Sequence, residues 1–305
     1  MIRIAFSTVA CPTWTLDRVA SAAEEYGFAG VELRSFGEGG GEGCRFACEP
    51  GMTAGAKVRS IFDEVGVAIA GVGSGVRFDA PIVPPVLGNL LPAREASVRE
   101  GKGMVQLASS IGAEYLRVYA FELPKRESRK SGLRRICERL YKVCDHARNR
   151  DLRVVIENGG SFAKAEDLAE IIERVNWPLL GACYDLDAAV AGEDDVAAGA
   201  ALLGSRLMAA RVRDRRDGKP CMLGMGELPV REFVESVRDT AAEWNTSPWM
   251  VFSWDRVWVD DLAPAESALP EAARKLAEWS AAPGQRLGVK PGLTPQSVAP
   301  AMIIR

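Results

Sequence analysis

The chain of 305 residues contains a single histidine, His146. Any site that needs two histidine ligands, or a histidine base beside a histidine ligand, is therefore excluded within one chain. An endonuclease of the three-metal type is excluded on the same ground, and it would also need a basic face. His146 falls near the end of a predicted helix, where we expect a structural role and a charged form that the helix dipole stabilises.

The sequence also has no excess of positive charge, because 38 Lys and Arg residues stand against 41 Asp and Glu residues. This balance predicts neither a nucleic-acid partner nor an anionic lipid surface. No apolar run approaches the length of a membrane span, and the apolar start of the chain is too short for a signal peptide. We therefore expect a cytoplasmic protein whose partner is a small-molecule substrate, and a homo-oligomer is left open.

The seven cysteines have no regular spacing, and their number is odd. This pattern is typical of reduced thiols that fill the core, and Cys44 and Cys48 lack the second ligand pair of a zinc site. The glycine-rich segment Gly37–Gly43 has two glutamates and no Lys-Ser or Lys-Thr pair, so a phosphate-binding loop is not expected. We interpret it as a loop over the mouth of the fold.

Eight short apolar segments alternate with eight longer segments of helical period. The predicted strands are Ile2–Thr8, Gly30–Leu33, Val67–Val72, Tyr115–Tyr119, Leu152–Ile156, Leu179–Tyr184, Leu207–Val212 and Trp249–Phe252. The predicted helices span about 16–26, 54–65, 93–111, 132–149, 165–175, 194–203, 230–243 and 266–280. Strict alternation predicts a parallel sheet, and eight units predict an α/β protein with a single (β/α)8 TIM barrel over residues 1–281. Residues 282–305 are rich in Pro and Gly and are predicted to form an irregular tail.

Polar side chains follow most of the predicted strands, where the active site of such a barrel lies. Carboxylates and guanidinium groups alternate among them, which suits a polyhydroxylated or carboxylated small molecule. The candidate site residues are Glu32, Arg34, Arg77, Arg117, Glu157, Asp185, Asp187, Arg211, Arg213, Ser253 and Asp255.

Five segments, in order and spacing, resemble the sugar-phosphate isomerase/epimerase superfamily, whose members have a xylose isomerase-like TIM barrel. They are Ser7–Trp14, Gly30–Arg34, Gly112–Val118, Leu223–Glu227 and Trp254–Trp258. The similarity covers roughly residues 2–281. It implies an isomerase or epimerase whose four strand-end ligands hold one divalent metal ion.

The resemblance also implies which residues stand at the ligand positions, namely Glu, Asp, His and Glu on strands five to eight. Glu157 and Asp185 match the first two ligands, but Arg211 stands where the histidine is usual and Ser253 where the last glutamate is usual. A guanidinium group is always charged and can bridge two carboxylates. It would repel a divalent ion about 4 Å away by roughly 8 kcal/mol at an effective dielectric constant near 20. We therefore expect no metal cofactor, unless substitute ligands hold an ion such as Mn or Mg.

Three functions follow from these residues. The first is a metal-independent isomerase, epimerase, dehydratase or cyclase, with Glu157 or Asp185 moving a proton and Arg211 stabilising negative charge. The remaining candidates would then bind the substrate, with Arg34, Arg77 and Arg117 available for a carboxylate or phosphate. The second is a non-catalytic descendant that binds a ligand. The third is a metal-dependent sugar isomerase or epimerase with substitute ligands, sought among Asp187, Asp214 and Asp255.

Overall fold

The computed structural model describes residues 1–35, 55–80 and 95–281, and its central feature is a closed barrel of eight parallel strands. In chain order the strands are β1 (Arg3–Ser7), β2 (Gly30–Arg34), β3 (Ala68–Arg77), β4 (Tyr115–Tyr119), β5 (Arg153–Glu157), β6 (Leu180–Asp185), β7 (Leu207–Val212), β8 (Asp214–Arg216), β9 (Lys219–Cys221) and β10 (Trp249–Phe252). Strands β8 and β9 form a separate antiparallel hairpin, and β10 closes the barrel by pairing with both β7 and β1. The predicted (β/α)8 barrel is confirmed.

Nine α-helices accompany the strands within the described residues. They are α1 (Leu16–Tyr26), α2 (Gly55–Glu64), α3 (Ala96–Ile111), α4 (Arg129–Ala147), α5 (Ala165–Val175), α6 (Leu186–Ala191), α7 (Val196–Leu203), α8 (Val230–Glu243) and α9 (Ala265–Ser280). The glycines expected between a helix and the next strand, Gly27, Gly66 and Gly112, have φ angles of 80°, 69° and 76°. These left-handed conformations favour glycine, so the sequence pattern located these turns correctly.

The structure differs from the sequence prediction in three places. Strand β3 continues to Arg77 rather than ending at Val72, since it pairs with β4 as far as Tyr119. Helix α6 begins directly after β6, ahead of the predicted helix. The β8–β9 hairpin was not predicted, although its turn contains Asp217 and Gly218, a dipeptide typical of tight hairpins, with φ angles of 51° and 72°.

Some predictions concern residues outside the described part of the chain. These are the loop Gly37–Gly43, Cys44, Cys48 and the C-terminal segment 282–305. The other five cysteines form no disulfide. No helix in the described ranges is long and apolar enough to cross a membrane.

The interior of the barrel is filled in two layers because alternate residues of each strand face inward. The lower layer is a compact apolar cluster that includes Ala5, Tyr115, Val155, Ala209 and Val251. Two residues further along the same strands, the inward positions carry charged or polar groups instead. The larger apolar core lies between the strands and the helices that surround them. A charged layer is thus held on top of a packed one.

His146 lies in the last turn of α4, as expected. Its environment does not favour the charged form, however. Burial lowers the pKa of His146, and the nearby charges of Arg150 and Lys102 lower it further, while Asp145 opposes them. The expected stabilisation of the charged imidazole by the helix dipole stays a prediction.

The large rings of the lower layer require small residues on neighbouring strands. A Cβ atom on Gly71 would overlap the ring of Tyr115, whereas a Cβ on Gly75 of the same strand would have no heavy atom within 4 Å. We predict that Gly71→Ala lowers the free energy of unfolding by about 1–3 kcal/mol, since overpacking strains a rigid core. Urea denaturation measures this, and Gly75→Ala should change it by less than about 0.5 kcal/mol. Equal losses in the two variants would show that the ring contact does not matter.

Candidate active site

The four residues at the inferred ligand positions converge at the C-terminal end of the barrel. Nη1 of Arg211 lies 3.2 Å from Oε1 of Glu157 and 3.6 Å from Oδ2 of Asp185. Nη2 of Arg211 donates a hydrogen bond to Oγ of Ser253 at 2.8 Å. The guanidinium group therefore connects both carboxylates and the hydroxyl, and the predicted bridge between Glu157 and Asp185 is present.

A second arginine lies deeper in the barrel. Arg117 binds Glu32 with two hydrogen bonds of 2.9 Å, from Nε and Nη2, and its Nη1 donates to Oε2 of Glu157 at 2.7 Å. Tyr115 also donates to Glu32, at 2.9 Å, and the side chains of Glu32 and Arg117 are completely buried. The pair has the bidentate geometry that makes arginine–carboxylate contacts strong.

The contacts continue outward from Asp185 toward the rim. Arg213 donates to Asp185 at 3.1 Å and to Asp255 at 3.2 Å. Nη2 of Arg215 lies 3.9 Å from Oδ2 of Asp255 and 2.7 Å from Oδ2 of Asp187. The sequence analysis missed Arg215, which lies on the unpredicted β8–β9 hairpin. The Asp217-Gly218 dipeptide at the turn of that hairpin is the sequence signal that could have indicated it.

Nine side chains thus form one continuous chain of alternating charge, which we call the mouth network. In order, its members are Glu32, Arg117, Glu157, Arg211, Asp185, Arg213, Asp255, Arg215 and Asp187. Exposure rises along it, from 0% for the side chain of Glu32 to 25% for Asp187 and 32% for Arg215. Only its outer end is open enough to meet a substrate directly.

Asp185 is fixed in place by the start of α6. Its Oδ1 accepts a hydrogen bond from the backbone N–H of Ala188 at 3.0 Å, so it caps the helix. Asn158, at the end of β5, accepts from the backbone N–H of Asp185 at 2.6 Å and donates to its carbonyl at 3.1 Å. These contacts explain why Asp185 stays within reach of Arg211.

The pKa values of the carboxylates follow their partners. Burial would raise the pKa of Glu32, but Arg117 and Arg211 lower it to about 2. Burial also opposes ionisation of Asp185, yet Arg213 and Arg211 bring its pKa below the usual value. Asp187 behaves differently, because burial raises its pKa, Asp185 adds to the rise, and Arg213 and Arg215 only partly offset it. Asp187 is therefore the best proton acceptor of these three.

Three other strand-end residues lie outside the network. Arg34 donates to the carbonyl oxygens of Gly73 and Ser74, and so links β2 to β3. Arg77 pairs with Asp79, and its guanidinium lies 4.5 Å from the ring centroid of Phe121. Asp214 is buried and accepts backbone hydrogen bonds from Arg215, Gly226 and Leu228, which hold the hairpin and the loop that follows it.

In the ranges that the structure describes, no three His, Cys, Asp or Glu side chains are grouped so that they could hold a metal ion. The donor set at the inferred ligand positions contains two carboxylates, one hydroxyl and one permanent cation. The predicted assignments of catalytic and substrate-binding residues stay predictions, because contacts alone do not assign a role.

Comparison with known proteins identifies the family of this chain. A family model for the xylose isomerase-like TIM barrel matches residues 20–279. No match is found among curated proteins.

Solved structures share the fold at low sequence identity. A D-allulose 3-epimerase from Methylomonas sp. has 14% identity and a TM-score of 0.69, with 91% of this chain and 98% of that chain covered. The IOLI protein, with a bound zinc atom, has 14% identity and a TM-score of 0.74, with 92% and 98% covered. The probable 3-DHS dehydratase AsbF from Bacillus anthracis has 13% identity and a TM-score of 0.69, with 90% and 99% covered.

The buried Glu32–Arg117 pair should dominate the acid sensitivity of the fold. The pKa of Glu32 falls from 4.5 to about 2 on folding, so its contribution is complete above about pH 4.5 and is lost as the pH approaches 2. We predict that Glu32→Gln lowers the free energy of unfolding at pH 7 by about 3–5 kcal/mol, because Arg117 then lacks its main counter-charge. Urea denaturation should also show a flatter dependence on pH between 4.5 and 2 than in the unmodified protein.

Glu114 provides the matched control, because it accepts two hydrogen bonds of 2.6 Å from Arg3. Both side chains are more than a third exposed, at 40% for Glu114 and 35% for Arg3. Glu114→Gln should cost less than about 1 kcal/mol, as is usual for exposed ion pairs. Equal costs at the two sites would contradict a special role for the buried pair.

Proposed function

Since the chain belongs to the xylose isomerase-like TIM-barrel family, we propose that it is an isomerase- or epimerase-like enzyme that works without a metal ion. Its substrate is a small oxygenated metabolite with a carbonyl group, such as a keto sugar, a sugar phosphate or a keto acid. A cytoplasmic location is part of the proposal and agrees with the free cysteines of the described ranges.

The position of Arg211 carries this proposal. Its guanidinium contacts Glu157, Asp185 and Ser253, which are the other three residues at the inferred ligand positions. Coulomb attraction from Glu157, Glu32 and Asp185 outweighs burial and the neighbouring Arg117, and raises the pKa of Arg211 above its ordinary value. A cation that cannot lose its proton thus balances the carboxylates, and the residues present do not fit a divalent metal ion.

Substitute ligands do not remove the difficulty. Asp214 already accepts three backbone hydrogen bonds. Asp255 is bound by Arg213, and Asp187 lies 2.7 Å from Arg215. A metal ion at any of these carboxylates would have to displace an arginine or break the loop that Asp214 holds. We therefore favour the metal-independent enzyme over the metal-dependent one.

We expect proton transfer between the substrate and the protein to occur at the outer end of the mouth network. A general base must reach the substrate and keep a free lone pair. Both oxygens of Glu157 accept hydrogen bonds from arginines, and both oxygens of Asp185 face a donor. Asp187 is more exposed, its Oδ1 accepts no hydrogen bond from the described residues, and its raised pKa makes it the stronger base.

The reaction then needs the groups of this chain and a water molecule. Asp187 takes a proton from the carbon beside the substrate carbonyl, and the electron pair of that C–H bond moves into the enolate. Arg213 and Arg215 lie beside Asp187 and can stabilise the oxygen anion that forms. A water molecule then delivers a proton to the other face of the carbon, which gives the epimer, and the hydroxide left behind takes the proton from Asp187. Glu157 and Asp185 then keep Arg211 and Arg213 in place instead of moving the proton themselves.

One observation favours the second function, a non-catalytic ligand-binding protein. The carboxylates at the first two ligand positions are buried and bound to arginines, as in a purely structural ion cluster. In that case a ligand would bind at the mouth and no proton would be exchanged. Deuterium exchange in D2O therefore distinguishes the two functions.

Measuring the metal content of the purified protein tests the proposal that Arg211 replaces the divalent metal ion. We predict that the purified protein contains much less than one equivalent of Mn, Mg, Co, Ni or Zn per chain, and that chelators leave its melting temperature unchanged. A ligand that binds the native state would otherwise stabilise it by RT ln(1 + [L]/Kd). The double variant Arg211→His with Ser253→Glu should gain metal-dependent stabilisation, and each single variant should gain less. About one tightly held ion per chain in the unmodified protein would overturn the proposal.

Proton exchange tests the enzyme and its base. We predict that, in D2O, the protein catalyses incorporation of deuterium next to the carbonyl of at least one member of a panel of ketopentoses, ketohexoses, their phosphates and small keto acids. Mass spectrometry measures the incorporation. Asp187→Asn should reduce it by at least about 100-fold, as expected for loss of a general base. Asp239→Asn, which removes a carboxylate that is 69% exposed on α8 and lies outside the mouth network, should retain it. No exchange by the unmodified protein would favour the binding protein.

A further inference from the structure

A cavity of about 710 Å³ lies next to the exposed end of the mouth network. One wall is the β8–β9 hairpin and the other is the segment that follows β10. Arg213, Arg215, Lys219 and Asp255 line it, together with Asp261 and the ring of Trp258. Because Arg213, Arg215 and Asp255 also belong to the mouth network, the cavity is continuous with the candidate active site.

The cationic groups of this cavity have unused hydrogen-bonding capacity. The Nε–H groups of Arg213 and Arg215 are buried and donate to no acceptor among the described residues. Lys219 is exposed and forms no ion pair with any residue in the described ranges. Arg213 and Arg215 contact three network carboxylates between them, and Lys219 adds a third positive charge to a cavity whose lining includes two carboxylates, Asp255 and Asp261.

The hairpin holds Lys219 at the cavity in a defined position. Lys219 pairs with Arg216 across the tight turn at Asp217 and Gly218. Asp214, at the base of the hairpin, accepts the backbone N–H groups of Arg215, Gly226 and Leu228. The backbone that carries Lys219 is therefore ordered before a ligand binds, which lowers the cost of binding.

Both walls of the cavity also present apolar surface. Trp258 is 54% exposed and lines the cavity together with Pro220 and Leu262. Pockets that bind small molecules typically combine such apolar surface with a few placed polar groups. The cavity is therefore suited to a ligand with an anionic end and a less polar body.

We propose that this cavity is a subsite for the anionic group of the substrate, a phosphate or a carboxylate, and that Lys219, Arg213 and Arg215 bind it. The inference rests on the proposed function, because it names the charged group that holds the substrate beside Asp187. A ligand bound here places the rest of its chain at the outer end of the mouth network, where the proposed base lies.

Calorimetric titration with inorganic phosphate and, separately, with malonate tests the subsite without requiring turnover. We predict that at least one probe binds with one site per chain. Lys219→Gln should raise its Kd about tenfold, since a charge-assisted hydrogen bond is lost, and Lys219→Glu should abolish binding. Lys57→Gln is the matched control, because Lys57 is equally exposed but lies on α2, and its Kd should not change.

The outcomes separate this inference from the proposed function. Preference for phosphate would identify a phosphorylated substrate, and preference for malonate a carboxylated one. If neither probe binds, or if Lys57→Gln weakens binding as much as Lys219→Gln, the subsite is refuted. If the Lys219→Glu variant binds no anion but still catalyses deuterium exchange, the subsite is refuted and the proposed enzymatic function is not. Anion binding without any exchange would support the subsite and refute the enzyme.

Discussion

The bridge that Arg211 makes between Glu157 and Asp185 is the contact on which the rest of the site depends. It places a permanent positive charge where two buried carboxylates would otherwise repel each other. Removing one partner of such a buried group leaves an uncompensated charge, which is far more costly than loss of a surface ion pair. Because Arg117 and Arg213 share those carboxylates, the inner members of the mouth network are mutually dependent.

The exposure of the side chains along the mouth network distinguishes buried, paired charges from charges that solvent can reach. At the inner end, Glu32 and Arg117 are buried and fully bonded, so they hold the barrel together and have no capacity left for a substrate. At the outer end, Asp187 and Arg215 are partly exposed. The strand-end carboxylates Glu157 and Asp185 are buried and bound by arginines, whereas Asp187, two positions after Asp185 and on α6, is more exposed.

The arrangement also shows how one barrel combines packing and chemistry. Inward positions on β7 run from Ala209 in the apolar layer to Arg211 in the charged layer. On β4 the same step leads from Tyr115 to Arg117, and the Tyr115 hydroxyl donates to Glu32 across the boundary between the layers. The packed layer thus fixes the strands that position the ions, and the hairpin after β7 adds the cations at the rim.

The sequence by itself determined the fold class, because eight alternating segments with two distinct periods have few other solutions than a barrel. It also determined that Glu157, Asp185, Arg211 and Ser253 would meet, since parallel strands end at the same edge. What it could not determine is which carboxylate remains free, because that depends on contacts between residues far apart in the chain. Only the tertiary structure placed Arg117 on Glu32 and Arg215 on Asp187, through the barrel closure and the hairpin. It therefore decided that the charges at one end of the network are buried and paired, while the other end is open.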